Sequence, residues 1–144
     1  MPNQRVLVVE DNPDDEALTR RAFRRNVVAA EVVVKADGPS ALDWLREVCA
    51  RPGETLPAFV LLDINLPIMS GHEVLRVIRA DDRLRSLPVV MFSSSNEEAD
   101  LRASYVEGAS SYVRKPLDFD AFMSTVGQVG SYWLGINQLP GAAA

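Results

Sequence analysis

A chain of 144 residues, 47% hydrophobic and 24% charged, holds enough apolar material for one self-sufficient core without a metal or disulfide staple. A formal net charge of −5 excludes the concentrated basic footprint of a nucleic-acid-binding surface, and the single cysteine, Cys49, excludes an internal disulfide. No apolar run approaches the roughly 18–20 residues that span a bilayer, and residues 1–5 carry no secretory leader, so a cytoplasmic protein is expected.

The first apolar run, residues 6–9, ends at the acidic pair Glu10 and Asp11. Asn12 and Pro13 then supply a cap and a first-turn proline for a helix reaching about Arg25. Asp14, Asp15 and Glu16 are the first-turn acids that a helix dipole favours, and Arg20, Arg21, Arg24 and Arg25 read as a solvated face. A β-branched run at 32–34 precedes the Asp37-Gly38 turn and a helix with Leu42, Leu45 and Cys49 on one face, where the thiol is expected to be buried and inert. Residues 51–58, with two prolines and a glycine, form a loop into the third run, 59–62, which ends at Asp63. Gly71 opens a helix that should bury Val74, Leu75 and Ile78. Pro88 introduces the fourth run, 89–92, which ends at Ser93; a helix with Leu101 and Tyr105 follows, and Gly108 stops it. The fifth run, Tyr112 and Val113, ends near Lys115 and Pro116, and the last helix carries Phe119, Phe122, Met123, Val126 and Trp133. No internal repeat is visible and no second domain is expected: residues 1–133 should form one domain, and 134–144 a C-terminal extension expected to be partly mobile.

Strands alternating with helices imply βαβ units and an α/β fold, a doubly wound five-stranded parallel sheet covered by helices on both faces. Right-handed crossovers bring the carboxyl ends of all strands to one edge, where ligands of open α/β sheets bind. Glu10, Asp11, Asp63, Ser93 and Lys115 all fall at those ends.

The set has the chemistry of a phosphoryl acceptor. Asp63 is the candidate nucleophile. A carboxylate and a phosphorylated donor repel each other, and a hard divalent cation such as Mg²⁺ removes that obstacle. Glu10, Asp11 and Asp63 could hold it, with the Asn65 carbonyl as a further ligand. Lys115 would pair with the carboxylate or phosphoryl group, and the Ser93 hydroxyl would donate to a phosphoryl oxygen. Each residue also has a plainer role: the acids as solvated caps, Asp63 as a turn cap, Lys115 as an exposed charge, and Ser93, Ser94 and Ser95 as a helix-capping run. None of these explains their convergence. His72, with no second histidine or cysteine nearby, is not expected to ligate a metal.

The segments VLVVEDNPDD, LLDINLPIMSG, PVVMFSS and GASSYVRKP resemble the signature segments of bacterial response-regulator receiver domains, over about residues 5–133. The resemblance implies the flavodoxin-like receiver fold, with Asp63 phosphorylated by a histidine kinase and Mg²⁺ held by Glu10, Asp11, Asp63 and the Asn65 carbonyl. It also implies that Ser93 moves towards the phosphoryl group, that Tyr112 rotates inward with it, and that Lys115 is the family lysine. Asn65 and Ser95 would tune autodephosphorylation, and Pro116 resembles the proline that commonly follows a cis peptide bond. Glu10 and Ser93 stand where many members have Asp and Thr.

The ending SYWLGINQLP, the loop at 51–58 and LLDINLP resemble single-domain receivers paired with phytochrome-type light-sensing histidine kinases, including bacteriophytochromes. Members are often homodimers through the fourth-helix and fifth-helix surface, which would place Tyr132 and Trp133 at a partner surface. Gly127 and Gly130, poor helix formers, suggest close approach of a neighbour or of the protein's own sheet. The resemblance makes the protein a phosphorylation-switched partner of a sensor kinase rather than an enzyme. A phosphorelay intermediate serving a histidine phosphotransfer protein is the alternative within the same chemistry. An aspartate-nucleophile phosphohydrolase would carry a second Asp two residues after the nucleophile, where Asn65 stands.

Overall fold

The computed structural model describes residues 4–26 and 30–139. Each apolar run forms a strand: β1 (Gln4–Val9), β2 (Ala30–Lys35), β3 (Phe59–Leu62), β4 (Val89–Ser93) and β5 (Ser111–Arg114). Between and after them lie α1 (Pro13–Asn26), α2 (Gly38–Ala50), α3 (Gly71–Ala80), α4 (Glu98–Val106) and α5 (Phe119–Ser131). The five strands form one parallel sheet in the order β2-β1-β3-β4-β5. This is the expected doubly wound arrangement.

The two-residue period of a strand divides the core. Leu7, Val9, Val60, Leu62, Val89 and Met91 face α2 and α3, where they meet Leu42, Leu45, Val74, Leu75 and Ile78. Val6, Val8, Phe59, Leu61, Val90 and Phe92 face α1 and α5, where they meet Phe23, Phe122, Met123 and Val126. β1, β3 and β4 are buried on both faces, as their unbroken apolar composition implies. The edge strands β2 and β5 are half-buried.

Local chemistry sets the helix starts. Asn12 Oδ1 accepts from the backbone N–H of Asp14 and Asp15 at 2.9 and 3.2 Å, which caps α1. Asp37 caps α2 through Ser40 N–H at 2.8 Å, so the Asp37-Gly38 pair is a helix start as much as a turn. Gly108, at φ +101°, stops α4 in the left-handed region that glycine enters freely.

Cys49 is half-buried against the α2/α3 core rather than fully enclosed. Gly127 and Gly130 are buried, and the helix that packs against α5 is the chain's own α1. α5 runs on into a π-helical turn, Tyr132–Ile136, closed by Asn137 N–H donating to Tyr132 O at 2.7 Å. Within the extension, Leu134 packs against the α1/α5 core, while residues 140–144 lie outside the described residues. Among the described residues no helix is long and apolar enough to cross a membrane.

Candidate functional site

The strand ladders aim the polar residues. Asp63 N–H donates to Val9 O at 3.1 Å and Lys115 N–H to Ser93 O at 2.8 Å, so the chain leaves the sheet in register. Alternation then carries Glu10 on from Val6 and Val8, and Asp63 on from Phe59 and Leu61, towards the α1 side. Gly71 lets α3 start against the nucleophile's own backbone: a Cβ there would stand 2.2 Å from Asp63 O and 2.8 Å from Ile64 Cα.

Lys115 is the hub of the site. Its Nζ donates to Glu10 Oε1 at 2.6 Å, to Asp15 Oδ2 at 2.9 Å and to Asp63 Oδ2 at 3.1 Å. It also lies 5.7 Å from the centre of the Phe92 ring. Glu10, Asp63, Ser93 and Lys115 are buried, whereas Asp11 and Asn65 are exposed. Charges withdrawn from water this far persist only when paired and hydrogen-bonded, and these are. Glu10 Oε2 accepts from Asn12 N–H at 3.1 Å, and Asp63 Oδ1 accepts from Asn65 N–H at 3.2 Å.

Burial pushes the Glu10 carboxyl up to about 7, against the pull of the Lys115 ammonium. Burial alone would lower the Lys115 pKa, but hydrogen bonds to Glu10 and Asp15 and the Asp63 charge more than offset it, and Lys115 stays protonated. One oxygen each from Glu10, Asp11 and Asp63 lies within 4.8 Å of the others. This all-oxygen donor set fits a hard divalent cation.

Ser93 and Tyr112 are linked through Ser95. Ser93 Oγ accepts from Ser95 N–H at 3.2 Å, and the Tyr112 hydroxyl donates to Ser95 O at 3.0 Å. The Ser95 hydroxyl donates to Asp100 Oδ2 at 2.7 Å and accepts from Glu97 N–H at 3.2 Å. His72 Nε2 lies 3.3 Å from Asp100 Oδ1, which extends the network to α3. His72 Nδ1 is buried without a hydrogen-bond partner, 4.0 Å from Glu107 Oε1.

Sequence reasoning missed Asp15, Asp100 and His72 as members of these networks. Asp15 left one signal: α1 begins three residues after Glu10, so its first turn must lie over the strand end. Asp100 and His72 left none, because their meeting depends on how α3 and α4 pack. One expectation at the site needs correction. No cis peptide bond occurs among the described residues, so the bond before Pro116 is trans, the isomer that X-Pro bonds prefer. Trp133 is half-buried: its ring stacks on Phe59 at 6.2 Å and 30°, against the α1/α5 core. Tyr132 packs edge-on against it at 5.0 Å and remains 44% exposed.

The chain is similar to known proteins in sequence and in fold. The chain is 43% identical over 138 residues to "Probable methanogenesis regulatory protein FilR2" of Methanothrix harundinacea, covering 96% of this chain and 88% of that one. The Mn²⁺-bound form of response regulator Rcp1, a protein known from Synechocystis, superposes with a TM-score of 0.86 at 30% identity, covering 96% of this chain and 99% of that one. The phosphorylated cyanobacterial phytochrome response regulator RcpA gives 0.89 at 33% identity with the same coverage. Residues 6–127, which hold every strand-end group described above, match the response regulator receiver domain, and the chain belongs to that family.

Proposed function

We propose that the protein is a phosphorylation switch whose Asp63 accepts a phosphoryl group from a sensor histidine kinase of phytochrome type. The observation that carries this reading is the buried Asp63 carboxylate, bonded to Lys115 beside the Glu10 and Asp11 carboxylates. The relation to phytochrome response regulators supports the choice of donor.

In the transfer, a bond between phosphorus and a kinase histidine nitrogen breaks, and the imidazole leaves with the electron pair. An Asp63 carboxylate oxygen forms the new P–O bond. Mg²⁺ held by Glu10, Asp11, Asp63 and the Asn65 carbonyl would neutralise charge between the carboxylate and the phosphoryl oxygens. Lys115 balances the remaining charge on the phosphoryl group. Ser93 donates its hydroxyl to a phosphoryl oxygen, and Tyr112 follows, transmitting the change to α4 through Ser95. Asn65 and Ser95 flank the path of the hydrolytic water and set the lifetime of the acyl phosphate. The protein acts as a stoichiometric acceptor in the cytoplasm. It signals by binding partners or by forming a homodimer, for which the exposed Tyr132 and Ile136 beside a cavity of about 420 Å³ offer a surface.

The test is time-resolved phosphotransfer from a panel of autophosphorylated histidine kinases that includes a phytochrome-type member, with Asp63→Asn as control. Rapid transfer from the phytochrome-type kinase, lost in Asp63→Asn, is expected. Fast transfer from a different kinase alone would overturn the light-signalling assignment, and transfer that survives Asp63→Asn would overturn the acceptor.

A further inference from the structure

The three N–H donors of an ammonium group are all engaged at Lys115, by Glu10, Asp15 and Asp63. Two of those acceptors, Glu10 and Asp63, also belong to the carboxylate cluster suited to a divalent cation; Asp15 does not. A cation that claims Glu10 and Asp63 therefore competes with Lys115 for the same two negative charges. It also sets a second positive charge next to the ammonium. Without another partner, Lys115 would either be driven from the site or hold the cation off.

We propose that Asp15 is the positioning residue that resolves this competition: it retains the Lys115 ammonium beside Asp63 when Glu10 and Asp63 turn to the cation. The inference rests on the cation-assisted reading given under Proposed function. Three features suit Asp15 to the task. It comes from α1 rather than from a strand end, so its place does not depend on the cation cluster. Its backbone N–H is fixed by the Asn12 cap at 3.2 Å. Its side chain is 26% exposed, against 4% for Glu10 and 8% for Asp63, so the charge that stays with Lys115 carries the smallest desolvation cost of the three. The first-turn position also places the Asp15 carboxylate in the favourable field of the helix N-terminus.

The test is a double-mutant cycle read by calorimetric titration with Mn²⁺ alone, on wild type, Asp15→Asn, Lys115→Met and the double variant. Asp15→Asn keeps the shape and removes the charge. It is expected to weaken Mn²⁺ binding about tenfold, in the range of other outer-shell substitutions. With Lys115→Met already present, the same change is expected to cost less than about twofold, because the competitor is gone. Equal losses in both backgrounds would show Asp15 acting only as a charge near the cation and would overturn the proposal, as would no loss in either.

If Lys115→Met does not fold, amine acylation read by mass spectrometry replaces it. The chain has only two lysines, so Lys35 serves as the internal control. Mn²⁺ is expected to leave Lys115 protected in wild type and to expose it in Asp15→Asn; equal protection in both would overturn the proposal. A wild type that binds no Mn²⁺ would instead strike the cation reading itself, and the proposal with it.

Discussion

α3 and α4 are neighbours joined by the His72–Asp100 contact at 3.3 Å and the Arg76–Glu107 pair at 3.1 Å, yet different forces hold them. α3 buries Val74, Leu75 and Ile78 completely, each contributing roughly 1.5–3 kcal/mol. α4 buries only Ser104, whose hydroxyl turns back to Asp100 O at 2.8 Å, and it leaves Tyr105 51% and Val106 81% exposed. The half-buried Leu101 and Ala103 and polar contacts of about 1 kcal/mol each are what remain to hold it. The helix that abuts Asp63 is anchored in the core, and the helix reached through Ser95 is not. A weakly packed element beside a reactive centre is the one that local opening displaces first, which is the property a two-state switch requires.

Gly71→Ala should break this comparison most severely. Its Cβ would meet the Asp63 carbonyl oxygen at 2.2 Å, and neither backbone can yield without moving the nucleophile. A loss of about 3 kcal/mol or more in urea unfolding is expected. A stable variant with an undisturbed Asp63 environment would contradict the close approach.

A matched pair tests the packing difference itself. Leu75→Ala should cost about 2–5 kcal/mol, and Val106→Ala should stay within about 0.5 kcal/mol, both read from urea midpoints at unchanged slope. Similar losses in the two variants would remove the contrast between the helices.

Asp100→Ala sharpens the picture with a smaller effect. The Ser95 hydroxyl loses its acceptor, and about 1 kcal/mol is expected, concentrated in faster amide exchange across α4 while α3 stays protected. Acidification should act in the same direction. The Ser95 hydroxyl first, and His72 after it, hold the Asp100 carboxyl below its ordinary 3.8. Its contribution is therefore present above that value and lost as pH falls through the lower folded-state one. An α4 exchange profile equally acid-sensitive in wild type and Asp100→Asn would rule out this assignment.

The alternation of short apolar runs with helical segments made the fold legible, because strands of a parallel sheet covered on both faces are apolar along their length. Asp63, Glu10, Ser93 and Lys115 were legible for the same reason: topology brings every strand end to one edge, so a polar residue ending an apolar run is already placed. Caps were equally local, and Asn12 stands where its side chain alone predicts.

Other features needed the packed chain. Asp15 looks like any first-turn acid until the orientation of α1 over β1 brings its carboxylate to 2.9 Å from Lys115 Nζ. The stacking of Trp133 on Phe59 depends on the π-helical turn that follows α5. His72 and Asp100 are 28 residues apart and meet only through the packing of α3 and α4. Period and capping act within one element and are written in consecutive residues. The partners of a charge or an aromatic ring depend on rotations and offsets between elements, and these are fixed only when the whole core closes.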